Sequence, residues 1–261
     1  MILDALAAAA KERVAAAKVK QPLAQIRALA QNAPPAPAFA RALATPGLSF
    51  ICEVKRASPS KGLIAADFPY MRIARDYERA GAAAISVLTE PERFFGSDQY
   101  LREIAVAASV PCLRKDFTVD AYQIFEARAL GAAAVLLICA ILEDAQLREY
   151  RELAEALGMA ALVETHDEAE LARALVAGAR IVGVNNRDLR TFEVELATSE
   201  RLGAMLPQGV LFVAESGVRT PADAARLHRA GAHALLVGEA LMRAPDRRGF
   251  LEELRDACSP S

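Results

Sequence analysis

From residue 48 onward the chain repeats one pattern. A short apolar run is followed by a polar loop and then by an amphipathic helical stripe that often closes on Gly-Ala. The apolar runs predict strands over Leu48–Val54, Ala84–Leu88, Pro111–Leu113, Ala134–Ile138, Ala160–Val163, Ile181–Val184, Val210–Ala214 and Ala234–Val237. Helices are expected between them, for example over Tyr70–Ala80, Ala121–Leu130, Glu143–Leu157, Glu168–Val176 and Pro221–Arg229. Gly81, Gly131, Gly178 and Gly231 each precede Ala and follow a helical stripe, where glycine supplies the left-handed residue that stops a helix. Ahead of the repeat, residues 2–19 read as an amphipathic helix with Ile2, Leu3, Leu6 and Val14 near one stripe. A second helix over Leu23–Gln31 must end before Pro34, Pro35 and Pro37, and a short one covers Phe39–Leu43. This forepart carries no obvious chemistry.

Strands buried on both faces and separated by helices form a parallel sheet, and eight such units close a barrel. The expected fold class is α/β, a (β/α)8 TIM barrel with an N-terminal helical extension. Residues 1–261 read as a single TIM-barrel domain, with 1–47 as the extension and 48–257 as the barrel. A doubly wound open sheet is the alternative, but it usually has a Gly-rich turn after its first strand, and none is present here.

Charge and composition narrow the function. A formal net charge of −2 argues against nucleic acid or an anionic membrane as the main partner. Cys52, Cys112, Cys139 and Cys258 are far apart, with no C-x-x-C pair, which disfavours zinc or a disulfide framework and suits a reducing cytoplasm. Asp4, Lys11, Glu12 and Arg13 break any signal-peptide pattern, and no run is long enough to span a bilayer.

In a barrel of this kind the active site sits where the strands end. Strand 1 ends in Glu53 and Lys55, which share one face of the pleat; strand 2 leads to Thr89 and Glu90; strand 3 leads to Arg114, Lys115, Asp116 and Phe117. Strand 4 offers nothing ionisable. Strand 5 gives Glu164 and His166, strand 6 Asn185 to Asp188, strand 7 Glu215-Ser216-Gly217, and strand 8 Gly238-Glu239. So many polar groups above apolar strand bodies are hard to explain as packing. The glycines after strands 7 and 8 let backbone N–H groups approach a phosphate, and Lys55 and Lys115 add positive charge. Alternating carboxylates and cations favour acid–base chemistry over a metal site. A lysine near other cations has a lowered pKa and a glutamate in an apolar mouth a raised one, which would suit them as acid and base. Cys52 alternates with Glu53 and should face the helix layer. His166 is expected to turn away from the mouth or cap the next helix.

These segments resemble the indole-3-glycerol phosphate synthase family. The resemblance rests on ICEVKRASPSKG (51–62), ISVLTEPERFFGS (85–97), CLRKDFTVDAYQ (from 112), LVETHDEAEL (162–171), IVGVNNRDLRTF (181–192), FVAESGV (212–218) and LLVGEALM (235–242), in the family's order. It implies a cofactor-free lyase acting on 1-(2-carboxyphenylamino)-1-deoxyribulose 5-phosphate by ring closure, decarboxylation and dehydration. It further implies Lys115 as general acid, Glu164 as acid–base partner for dehydration, Glu53 as the orienting carboxylate, and Lys55 as an anion-binding lysine that also suits proton donation. Asn185 and Ser216 would complete the catalytic shell. Ser58 would meet the substrate carboxylate, Phe94 and Phe117 would flank the aromatic ring, and Arg187 and Glu215 would line the pocket. Gly217, Gly238 and the backbone of Glu239 would hold the phosphate. Glu239 stands where some relatives have Ser, so its side chain must point away from that phosphate. No metal, nucleic acid or membrane partner is implied, and a monomer or weak homodimer is expected. The competing readings are a phosphoribosylanthranilate-type isomerase, which needs a Cys or Asp acid–base pair at the exits, and a non-catalytic phosphate-ligand-binding barrel.

Overall fold

The computed structural model describes residues 2–188 and 190–259. Eight parallel strands close into a barrel: β1 (Ser49–Val54), β2 (Ala84–Leu88), β3 (Cys112–Lys115), β4 (Ala134–Ile138), β5 (Ala160–Thr165), β6 (Ile181–Asn185), β7 (Leu211–Glu215) and β8 (Ala234–Val237). Each strand pairs with its sequence neighbours. The ring shuts where Ser49–Cys52 pair in parallel with Ala234–Val237. The expected (β/α)8 architecture is therefore present. Four strands run further than the apolar pattern alone indicates: β3 reaches Lys115, β5 Thr165, β6 Asn185 and β7 Glu215. The backbone ladder continues past the last apolar residue because its hydrogen bonds do not depend on side-chain polarity.

Two cores follow from the two-residue pleat. Ile51, Ala84, Leu113, Leu136, Leu162, Ile181, Val213 and Leu236 fill the barrel interior. The alternate residues, among them Phe50, Cys52, Ile85, Val87, Val163 and Val182, pack against the surrounding helices. Cys52 faces the helix layer as expected, fully buried. The helices stop at Gly81, Gly131, Gly178 and Gly231, all with φ between 82° and 92°, as the Gly-Ala pattern implies.

The N-terminal segment folds as α1 (Ile2–Lys20), α2 (Leu23–Asn32) and α3 (Phe39–Leu43). Phe39 and Leu43 join the inner core just before β1 begins, closing the N-terminal end of the barrel. At the opposite end α1 lies across the strand exits. Arg13 Nη2 donates to Asp116 Oδ1 at 2.8 Å, and its Nη1 lies 3.5 Å from Glu90 Oε1. Lys18 Nζ adds a pair to Asp120 at 2.6 Å. Asp116 and Glu90 are themselves buried, and Asp116 also accepts from the Thr89 hydroxyl at 2.7 Å. Val14 meets Ile26, Ala30, Tyr122 and Phe125 in a small third core that ties α1 and α2 to the helix Ala121–Ala129.

Removing Arg13 leaves two buried carboxylates short of their cation. Arg13→Ala is expected to cost roughly 1–3 kcal/mol, discounted for the partial exposure of the arginine. The corresponding drop in Tm would be about 3–10 °C in a thermal melt, with barrel circular dichroism retained below the transition.

Candidate active site

The pleat that fills the barrel also builds its mouth. Two positions beyond an inward-facing residue, six of the eight strands lead to a polar residue or a glycine. Ile51 leads to Glu53, Leu113 to Lys115, Leu162 to Glu164, Gly183 to Asn185, Val213 to Glu215, and Leu236 to Gly238. These side chains border one cavity of about 700 Å³ at the C-terminal ends of the strands.

Lys115 stands at the centre. Its Nζ lies 3.2 Å from Glu164 Oε2 and 3.6 Å from Glu215 Oε2. The other oxygen of Glu164 accepts from Asn185 Nδ2 at 3.0 Å. Asn185 is held in turn by the Arg187 backbone N–H, which donates to its Oδ1 at 3.0 Å. Across the mouth, Lys55 Nζ is 2.6 Å from Glu53 Oε1. Gly183 is required beneath Glu215, since a Cβ there would strike the Glu215 carboxyl group. Gly238 has the same relation to Glu53 and Lys55. Phe94 and Phe117 pair with ring centroids 6.1 Å apart and form an apolar wall. Ser58 sits in a short hairpin made by Ala57–Ser58 and Gly62–Leu63.

The exit of β7 turns sharply. Ser216 has φ of 66° and Gly217 of 92°, and Asn186 Nδ2 pins the turn by donating to the Glu215 and Ser216 carbonyls at 3.1 Å. After β8 the short helix Glu239–Arg243 begins at Gly238. First-turn N–H groups of a helix have no partner within it. The Glu239 side chain is drawn aside, with Oε1 at 3.2 Å from Arg243 Nε and 3.9 Å from Lys61 Nζ. This is the turned-away carboxylate that the sequence requires if a phosphate is held by the backbone.

Burial and charge set the protonation states. Burial alone would lower the pKa of Lys115, but Glu164, Glu215 and Glu53 around it outweigh that and hold it well above the usual lysine range. The expectation of a lysine depressed by neighbouring cations is thus corrected, because its neighbours are carboxylates. Burial raises Glu164, yet Lys115, His166 and Asn185 together bring it well below the usual carboxylate range. Glu215, buried and repelled by Glu164, is pushed up to about 8 despite Lys115. The raised glutamate expected in the mouth is therefore Glu215 and not Glu164. Its Oε1 is buried without a hydrogen-bond partner among the described residues.

Every residue singled out for the site borders this cavity: Glu53, Lys55, Ser58, Phe94, Lys115 and Phe117, then Glu164, Asn185, Arg187, Glu215, Ser216, Gly217, Gly238 and Glu239. From β2 and β4 it is apolar residues, Leu88, Leu136 and Ile138, that border the cavity, and Asp116 after β3 borders it too. Glu90 is fully buried and accepts the backbone N–H groups of Glu92, Arg93 and Phe94, so it shapes the loop that carries Phe94. Arg114 points outward to Asp98, Glu126 and the Gln123 carbonyl. His166 does not turn away: its Nε2 is 3.2 Å from Glu164 Oε1 while Nδ1 is 2.9 Å from Glu170. His166 lies one residue past the end of β5, where the strand's alternation no longer assigns a side chain to a face. Ile2, Leu3 and Leu6 of α1 also border the cavity. Their apolar stripe is visible in the sequence, but nothing there says what it covers. No group of three or more His, Cys, Asp or Glu that could hold a metal ion occurs among the described residues.

Fold and site together define a (β/α)8 barrel with carboxylate–ammonium pairs gathered at one mouth. Residues 3–254 match the family profile described as "Indole-3-glycerol phosphate synthase". The chain is 53% identical over 258 residues to the indole-3-glycerol phosphate synthase of Ruminiclostridium cellulolyticum, covering 98% of this chain and 99% of that one. It is 50% identical over 258 residues to that of Lacticaseibacillus paracasei, covering 98% and 99%. The chain belongs to the indole-3-glycerol phosphate synthase family, carboxy-lyases of tryptophan biosynthesis. Among solved structures, 3-hexulose-6-phosphate synthase superposes with a TM-score of 0.62 at 18% identity, covering 81% of this chain and 100% of that one, a likeness of fold. No helix among the described residues is long and apolar enough to cross a membrane.

Two measurements follow from the glycine and the raised glutamate. Gly183→Ala should displace the Glu215 carboxyl and cost at least about tenfold in kcat/KM while circular dichroism stays that of a folded barrel. Because the folded-state pKa of Glu215 is raised, the stability linked to it is present below its ordinary value of 4.5 and lost as pH rises towards about 8. Glu215→Gln cannot ionise, so its Tm should gain on wild type by about 2–6 °C between pH 5 and pH 8.5. A gap that does not widen with pH would mean that Glu215 keeps one protonation state across this range.

Proposed function

We propose that the mouth of this barrel converts 1-(2-carboxyphenylamino)-1-deoxyribulose 5-phosphate to indole-3-glycerol phosphate, carbon dioxide and water, with Lys115 as general acid. The observation that carries the assignment is Lys115 Nζ set between Glu164 Oε2 and Glu215 Oε2 beside the Phe94–Phe117 wall. The ring would lie against that wall and the substrate carboxylate near Ser58. The phosphate would rest on the backbone of Gly217, Gly238 and Glu239, close to Lys55 and Arg187.

The ring carbon that bears the carboxylate attacks the ribulose carbonyl carbon, and the Lys115 ammonium protonates the carbonyl oxygen. The bond to the carboxylate then breaks, carbon dioxide leaves, and its electron pair restores the aromatic ring. In the dehydration the new hydroxyl takes a proton and departs as water while the neighbouring carbon gives one up. Glu164 is the acid–base partner of this step, with Lys55, paired to Glu53, as the second ammonium of the mouth. Starting from the substrate carboxylate, one proton is consumed overall. The carboxylates around Lys115 keep it charged in the resting enzyme. A substrate carbonyl that sits between Lys115 and them weakens those pairs and makes the ammonium a stronger acid. Asn185 and Ser216 hold the hydroxyl groups and the carboxylate of Glu164 in line.

The four cysteines are unpaired thiols, three of them buried, which supports a reducing cytoplasmic location. We take the working unit to be a monomer or weak homodimer, to be checked by sedimentation.

The deciding assay follows indole fluorescence and carbon dioxide release, in EDTA, for wild type beside Lys115→Ala. The variant should lose about 10²- to 10⁴-fold in kcat while still binding a substrate analogue. Retention of most of the turnover would remove Lys115 from the chemistry. Analogue binding without wild-type turnover would leave a binding barrel instead.

A further inference from the structure

His166 lies against Glu164, and the proposed chemistry gives it no role. It lies two positions after Glu164, one residue past the end of β5, and its ring turns back to the Glu164 carboxylate. Its ring is anchored from behind. Glu170, in the first turn of the helix Glu168–Val176, accepts the His166 backbone N–H at 2.9 Å and also lies 2.9 Å from Nδ1. One carboxylate oxygen thus grips both the backbone and the ring of His166. That grip fixes the ring plane and makes Nδ1 a proton donor. The opposite nitrogen, Nε2, is buried and lies 3.2 Å from Glu164 Oε1, without the direction of a hydrogen bond.

Glu164 is therefore held asymmetrically. Oε1 receives Asn185 Nδ2 at 3.0 Å and the His166 ring at 3.2 Å; Oε2 is left to Lys115 at 3.2 Å. A carboxylate with a single neighbour would rotate about its terminal bond. Here both partners sit on Oε1, so Oε2 is the oxygen directed at Lys115.

We propose that His166, anchored by Glu170, is a positioning residue that clamps Oε1 of Glu164 and so presents Oε2 for proton exchange beside Lys115. The inference rests on the reading of Glu164 as the acid–base group. The charged and titratable groups around the pair are Lys115 from β3, Glu53 from β1, Glu215 from β7, Glu170 and Arg173 from the helix behind, and Cys139 after β4. Burial works against a charged imidazole at this position, but Glu164 and Glu170 together outweigh it and raise His166 to about 10. The clamp therefore carries positive charge throughout the neutral range, and its loss should raise the pKa of Glu164.

The test is steady-state turnover at about pH 7.5 for wild type, His166→Ala, His166→Gln, Glu170→Gln and Glu164→Gln, with a thermal melt of each. His166→Ala should lose about 10- to 100-fold in kcat and keep KM within about threefold. His166→Gln, with a neutral donor in place of the ring, should recover much of kcat. Glu170→Gln should lower kcat in the same way by less. The proposal is overturned if His166→Ala keeps the wild-type rate, if it raises KM instead of lowering kcat, or if its loss tracks thermal stability and His166→Gln brings no recovery. If Glu164→Gln also keeps its rate, the reading of Glu164 has failed. If only Glu164→Gln collapses, the clamp alone is wrong.

Discussion

The constraint behind this molecule is the two-residue period of a strand whose two faces are both buried. One face must fill the barrel and the other must meet a helix, so no register is free. The inward positions therefore form stacked layers, apolar at the level of Ile51, Leu113, Leu162 and Val213 and polar one layer higher, at Glu53, Lys115, Glu164 and Glu215. The polar layer inherits its precision from the apolar one. Its side chains leave from hydrogen-bonded backbone, so the distances around Lys115 are set by sheet geometry and not by loop conformation.

Such a layer is costly unless its charges balance. Three carboxylates surround Lys115, and the excess negative charge is met in two ways. Glu164 stays ionised because Lys115, His166 and Asn185 supply charge and donors, whereas Glu215 keeps its proton towards neutral pH because it has too few. Two glutamates of like burial are driven apart in proton affinity by their partners. A division of this kind lets one mouth hold a base and a reserve proton together.

How much of this was legible in the sequence depended on which physical signal each feature leaves. The barrel was readable because apolar runs, amphipathic stripes and terminal glycines recur with one spacing. The inward set was readable because Glu53 and Lys55 obey the same alternation as the core. Strand ends were underestimated at Lys115, Thr165, Asn185 and Glu215, since the apolar signal stops where polar residues begin while the ladder continues. His166 was misplaced because its sequence neighbours suggested a helix cap, and one residue past the end of β5 the alternation no longer says which way a side chain turns. The protonation states were out of reach: they depend on Glu215 and Glu164 meeting at Lys115 across three strands. The covering of the mouth by Ile2, Leu3 and Leu6 left no signal beyond an apolar stripe.

That covering has a consequence for assembly. The helix α1 finds its anchor, Asp116, 103 residues further along the chain. Until β3 has been synthesised the helix has nothing to close upon, and its apolar stripe must wait in solvent or in a transient partner. Contacts of such sequence separation order late, because the loop entropy falls due before the contact forms. The mouth of the barrel is thus roofed, in one of its last steps, by a helix that precedes every strand, and a half-made barrel offers its polar layer to water with no wall on that side.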